Sequence, residues 1–209
     1  MTMEGIFQHD PDKVTLLFEN DFITAVMFDL KPGDTLPRHE TGNRIVYSLT
    51  ASQVKVTDNG REAINKWAPG DVHWHEGGPH PALQNVGDTD ARFVMVSRTP
   101  VPLPPAVAWK DVEELSAVAP DCMLTLLDND HIRLLKVSIG VGETLPPHYE
   151  GHRLIYTLGP FTVKVGDGEK AAVNEWEEGA LHWHNGGEHP RLENVGVRPA
   201  EYLIFIFKK

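Results

Sequence analysis

The sequence predicts an all-β protein of two tandem domains, and three observations carry that prediction. The chain repeats itself: residues 20–98 and 129–207 align without a gap at an offset of 109, and 32 of the 79 pairs are identical. A unit this long lies far beyond the 20–50-residue period of solenoids and propellers, so each copy is expected to hold its own core. Within each copy, short runs with alternating or β-branched character recur between Gly-, Pro-, Asn- and Asp-rich turns. The length of 209 residues also suits two domains of about 100 residues each.

The first copy is expected to form strands at 14–20, 22–30, 44–49, 53–57, 61–67, 71–75, 82–86 and 91–97. Turn chemistry separates them in KPGD, TDNG, APGD, EGGP and VGDTD. The second copy keeps the rhythm with GVGE, GDGE, EEGA, NGGE and VGVRP, which predicts a sandwich or small barrel in each half. Between them TPVPLPPAVAW (99–109) breaks the composition; its prolines remove N–H donors and favour an extended, semi-rigid linker. After it KDVEELSAV (110–118) reads either as two helical turns capped by Asp111, with Glu114 three residues on, or as an irregular lead-in. The expected organisation is thus domain 1 at 1–98, linker at 99–109 and domain 2 at 110–209.

Charge excludes some partners. A formal net charge of −11 repels a phosphate backbone, and no Lys/Arg cluster offsets it, so no nucleic-acid partner is expected. Cys122 is the only cysteine, which rules out an intrachain disulfide and a cysteine-based zinc site. The start MTMEGIFQHDPDK lacks a basic segment followed by an apolar run, and no window approaches about 18 apolar residues; a cytoplasmic protein without a membrane partner is expected.

Chemistry concentrates in histidine. Of eleven, eight form matched pairs: His39/His148, His73/His182, His75/His184 and His80/His189. Strand alternation places His73 and His75 on one face and Trp74 on the other. Imidazoles so placed either ligate a divalent metal or close loops by hydrogen bonding; their survival in two otherwise diverged copies favours a role in a cavity. Trp67/Trp176 and Trp74/Trp183 are expected to pack in the core or between the domains. Gly-x-Ser-x-Gly, P-loop and dinucleotide fingerprints are absent.

The order PGDTLPRH, a strand, then APGDVHWHEGGPHPALQN resembles the cupin superfamily, over nearly the whole chain except the linker. Two such domains make a bicupin, and the resemblance implies tandem double-stranded β-helix (jelly-roll) barrels, each with a cavity between two motifs. His39 and His148 match the first histidine of the first motif, and His80 and His189 the histidine of the second. Asn85, Asn194, Gly70 and Gly179 fall near the second motif's Asn and Gly.

The departures are sharper than the matches. Thr41 and Glu150 stand where the family has a second histidine, and Arg44 and Arg153 where it has a ligand glutamate. A guanidinium cannot ligate a metal, and its charge opposes a nearby dication. It does present a fork suited to carboxylate or phosphate. Either the metal is gone and the pocket takes an anion, or the metal has moved to the HWH strand. In the second case His39, His73, His75 and His80, with His148, His182, His184 and His189 in the other copy, would hold Zn, Fe, Mn, Ni or Cu. Arg44, Arg153, Glu150, Tyr47 and Tyr156 are then candidates for substrate binding.

These residues lead to the expectation of a metal-dependent bicupin enzyme acting on a small anionic metabolite. The alternatives are a non-catalytic binding protein and a metal-free enzyme using histidine as acid and base. With Glu150 for Thr41 and His152 for Asn43, the second copy has more potential ligands and is expected to be the metal-loaded half. Both a monomer, as an internal pseudo-dimer, and a homodimer fit the duplication.

Overall fold

The computed structural model describes residues 11–105 and 113–208. The chain divides into two compact units, Met1–Pro102 and Leu103–Lys209. Both are all-β jelly rolls, as the repeat and the turn spacing predicted.

In the first unit the strands are β1 (Val14–Glu19), β2 (Ile23–Leu30), β3 (Thr35–Leu36), β4 (His39–Thr41), β5 (Arg44–Ser48), β6 (Ser52–Asp58), β7 (Arg61–Trp67), β8 (Val72–His75), β9 (Gly78–His80), β10 (Ala82–Asn85) and β11 (Ala91–Arg98). One sheet runs β1-β2-β11-β5-β8, a second β3-β10-β6-β7, and β4 pairs with β9 alone. The second unit repeats this with β12 (Met123–Asp128), β13 (Ile132–Ile139), β14 (Thr144–Leu145), β15 (His148–Glu150), β16 (Arg153–Thr157), β17 (Phe161–Val165), β18 (Ala172–Trp176), β19 (Leu181–His184), β20 (Gly187–His189), β21 (Leu192–Asn194) and β22 (Ala200–Phe207), in the orders β12-β13-β22-β16-β19, β14-β21-β17-β18 and β15-β20. Even the irregularities repeat, because the first hairpin of each unit shifts register at Leu16/Phe18 and at Thr125/Leu127.

The inward faces of the two sheets close the core. Val26, Phe28, Leu30, Val46, Val54, Leu83, Phe93 and Met95 are buried together in the first unit, with Trp67 packed against them. The two motif asparagines are structural staples. Asn85, fully buried, donates through Nδ2 to the carbonyls of Leu30 and Thr89 and accepts the Gly87 N–H; Asn194 does the same with Ile139, Arg198 and Gly196. Each amide thereby meets three of its four hydrogen bonds where water cannot reach.

The lead-in to the second unit is shorter than two helical turns. Helix α1 covers Leu115–Val118, with Glu114 at the N-cap and no side-chain cap bond. The proposed cap Asp111 lies outside the described residues. Packing places this turn, since Leu115 is fully buried in the core cluster of the second unit.

Candidate functional site

The pairs β4–β9 and β15–β20 assemble the site. His39 lies opposite His80 across β4 and β9, and the rings stack with centroids 4.7 Å apart. In the second unit β15 (His148–Glu150) and β20 (Gly187–His189) set His148 against His189 at 5.3 Å. The HWH strands run alongside. In β8 His75 pairs with Arg44 and His73 with Val46; in β19 (Leu181–His184) His184 pairs with Arg153 and His182 with Ile155. Cross-strand partners share a face, so both histidines of each HWH point the way their arginine does. His75 then comes 6.0 Å from His80, and His184 5.0 Å from His189, between ring centroids. His73 instead lies on Trp67 at 4.7 Å, and His182 on Trp176 at 4.1 Å.

Hydrogen bonds orient three of these rings. His39 donates from Nδ1 to the Pro37 carbonyl at 3.0 Å, His80 to Pro81 at 2.9 Å and His148 to Pro146 at 2.9 Å. A carbonyl only accepts, so the proton is on Nδ1 and the Nε2 lone pair is free. The Nε2 atoms of His39, His73 and His184 are buried without a partner.

Burial keeps the imidazoles neutral. It pulls His80 down to about 3, helped by His39 and Arg44, and His75 down to about 4, helped by Arg44 and His73. His184 falls to about 4 by burial and then Arg153, and His39 is lowered by burial, with Arg44 among the lesser causes. Arg44, opposite His75 across β5 and β8, opposes the charged forms of His39, His75 and His80. It is 2% exposed, and its Nη1 donates to the carbonyls of Gly42 (3.4 Å) and Glu76 (3.2 Å). Its Nε is buried with no acceptor. Burial lowers Arg44 to about 10, which leaves it cationic at neutral pH, and among the described residues no carboxylate acts on it.

Arg153 is equally buried, and its Nη1 donates to the Gly151 carbonyl at 3.0 Å, but its surroundings differ. Glu150, 5% exposed, is the first charge favouring the cationic form of Arg153. Burial pushes the Glu150 carboxyl up to about 7 against the opposing pull of Arg153, while the Leu115 N–H at the start of α1 donates to it.

A cavity of about 420 Å³ opens beside the first histidine cluster. It is lined by His73, His75 and His80, by the apolar Val46, Val56, Leu83, Phe93 and Trp67, and by the exposed Ile64, Asn65 and Lys66. Lys66 and Trp67 as lining residues escaped the sequence reading; Trp67 packs on the core, edge-on to Phe93 at 5.5 Å, and also faces the cavity. In the second unit a cavity of about 240 Å³ beside Trp176 is lined by Phe161, Thr162, Glu175, Glu177 and Arg198; its counterpart in the first unit is not the histidine cavity but one of about 350 Å³ lined by Ser52, Gln53, Lys66, Trp67 and Thr89.

Two expectations need correction. Tyr47 and Tyr156 do not join the histidines: alternation sets Tyr47 on the opposite face of β5 from Arg44 and Val46, and the two hydroxyls lie near Gly70 and Gly179. His152 is not a spare ligand. Its Nδ1 accepts the Gly186 N–H at 3.0 Å and its Nε2 donates to the Pro104 carbonyl at 2.9 Å, so both ring nitrogens are engaged. Asn43 fills the same place in the first unit, where its Oδ1 accepts the Gly77 N–H at 2.6 Å.

A divalent cation matches these residues in donor type but not in arrangement. Imidazoles sharing one ion, each nitrogen about 2.0–2.1 Å from it, hold ring centres roughly 5 Å apart, which the His39–His80 and His184–His189 spacings approach. Yet among the described residues no three His, Cys, Asp or Glu side chains converge as a metal-binding group. A buried guanidinium also stands where a ligand carboxylate would balance the ion.

Comparison with solved structures agrees on the fold. AerE from Microcystis aeruginosa superposes with a TM-score of 0.69 at 12% identity, covering 94% of this chain and 93% of that one. Oxalate decarboxylase from Bacillus subtilis, in a variant with one tryptophan changed to tyrosine, gives 0.63 at 16% identity, over 90% and 69% of the two chains. A study of the Mn(II) centres of that enzyme gives 0.62 at 15% identity, over 93% and 72%. No family profile and no curated protein sequence matches the chain. The fold is the two-barrel cupin fold that the sequence motifs implied.

Proposed function

We propose that the protein binds a small carboxylate-bearing metabolite in a histidine-lined barrel cavity, with the buried arginine as anchor. The observation that carries this reading is Arg44: 2% exposed, cationic, its Nε unpartnered, and opposite His75, which lines the cavity. A buried charge without a counter-charge is costly, and an arriving anion removes that cost. The guanidinium fork matches a carboxylate in geometry as well as charge.

The histidines give the bound anion a chemistry. With His80 at about 3 and His75 at about 4, they are poor bases in the empty cavity, because a useful acid–base group titrates close to working pH. A carboxylate beside them favours the imidazolium and raises those values, so binding itself prepares proton transfer. This supports an isomerase-type reaction that moves a proton next to the carboxylate. A second reading, a cation held by the Nε2 atoms of His39, His75 and His80, is favoured by the unpartnered Nε2 of His39; the manganese of the oxalate decarboxylases is its analogue.

Thermal unfolding with a panel of carboxylic acids tests the proposal. The cognate acid raises Tm in wild type and not in Arg44→Gln; no shift with any acid rejects the reading. Elemental analysis of untagged protein, with and without added Mn²⁺, Fe²⁺ or Zn²⁺, decides the second reading. A retained stoichiometric metal establishes it, and an unrestorable metal-free state rejects it.

A further inference from the structure

The two barrels share a histidine frame but not a charge pattern, and the difference bears on which one takes a ligand. Three positions change together. Thr41 of the first unit becomes Glu150 in the second, buried beside Arg153. Lys66, on the edge of the first cavity, becomes Glu175. Asn43 becomes His152, which ties the Gly186 turn to Pro104. Among the described residues the first barrel therefore presents an uncompensated buried guanidinium, with Lys66 on the edge of its cavity. The second supplies a carboxylate of its own and has Glu175 in place of Lys66.

Resting on the carboxylate-binding reading above, we infer that the chain binds one ligand, in the first barrel. That ligand is a monocarboxylate with an apolar, ring-sized body, and Glu150 is the second barrel's built-in counter-anion. The class follows from the walls. The imidazoles of His73, His75 and His80, with the buried Arg44 opposite His75 across β5 and β8, offer hydrogen-bonding partners, while Val46, Val56, Leu83, Phe93 and Trp67 offer an apolar remainder within about 420 Å³. Acetate leaves that wall uncovered. A compact diacid such as oxalate sets its second charge against it, where desolvation is unfavourable. An aryl or alicyclic monocarboxylate satisfies both ends, and the Trp67 and Phe93 rings suit a flat body.

The test uses benzoate, cyclohexanecarboxylate, acetate and oxalate as probes at pH 8, read by Tm shift and tryptophan fluorescence. The ring acids bind at least about tenfold more tightly than acetate or oxalate. Arg44→Gln weakens benzoate at least tenfold and Trp67→Phe removes most of the fluorescence response, whereas Arg153→Gln and Trp176→Phe leave both within twofold. Circular dichroism checks folding, and if Arg44→Gln fails to fold, Arg44→Lys carries the test with several-fold weaker binding. Equal loss in Arg153→Gln, a response carried by Trp176, or acetate and oxalate binding as tightly as benzoate overturns the inference and leaves the carboxylate reading intact. No binding by any probe overturns both.

Discussion

Arg44 and Arg153 occupy equivalent strands at equal burial, yet among the described residues one lacks a counter-charge and the other has Glu150. The backbone frame holding them is nearly invariant, down to the register shift in each first hairpin and the asparagine staple under each sheet. Geometry is kept by many cooperating contacts, whereas charge sits on single side chains. After a duplication, one substitution in a buried layer can therefore change what a cavity accepts without disturbing the barrel around it.

The largest expected effect breaks this comparison at the two arginines. In Arg153→Met, Glu150 loses the cation that favours its ionised form, and stability at pH 8 should fall by about 1–3 kcal/mol. Arg44→Met removes a buried charge that nothing balances, replacing it with a side chain suited to an apolar surround. It should be neutral or stabilising by up to about 1 kcal/mol in ligand-free protein while losing carboxylate binding. Urea unfolding midpoints at pH 8 measure both. Equal destabilisation by the two variants would mean that Glu150 does not distinguish the barrels.

The next effect is a pH dependence belonging to the second barrel alone. Glu150 titrates at about 7 in the fold against 4.5 for a free side chain, so the folded state holds its proton more tightly than the unfolded chain. That contribution to stability is complete below pH 4.5 and is lost as pH rises through 7. Glu150→Gln mimics the protonated form, so its Tm should match wild type near pH 5 and exceed it near pH 8. The histidines act in the opposite sense and in both barrels. His75 and His184 titrate near 4 when folded, so their contribution is whole above pH 6.5 and declines as pH falls towards 4. His75→Gln and His184→Gln should flatten the acid limb of the Tm–pH curve to similar extents. Flattening in only one of them would show that the shared histidine frame is not equivalent in the two barrels.

Much of this was legible in the sequence, for reasons that also mark where legibility stopped. The long alternating runs became strands because period-2 patterning records one buried face. The arginines in place of a ligand glutamate announced an altered site, and strand parity placed His73 with His75. The same parity separates Tyr47 from Arg44, three residues apart on one strand, so that error could have been avoided. The β4–β9 pairing could not be read, because three-residue strands carry no alternation, yet it brings His39 onto His80. Nor could His152 be assigned, since its partners Pro104 and Gly186 lie 48 and 34 residues away. Counting it as an extra ligand was the step that failed, because both of its ring nitrogens are engaged in the fold.

The smallest expected effect lies on the rim. Lys66 is exposed at the edge of the first cavity, and Glu175 takes its place in the second unit. Water and salt screen an exposed charge, so Lys66 steers an anion more than it holds one. Lys66→Glu should weaken benzoate about two- to fivefold at 20 mM salt, chiefly through slower association, and the difference should vanish near 0.5 M salt. Arg44→Gln, acting in a layer that salt does not reach, should keep its loss at both ionic strengths. A Lys66→Glu effect that survives high salt would move Lys66 from the approach to the site into direct contact with the ligand. The first barrel would then hold two cations where the second holds one, and the ligand class would widen to acids long enough to span from Arg44 to the rim.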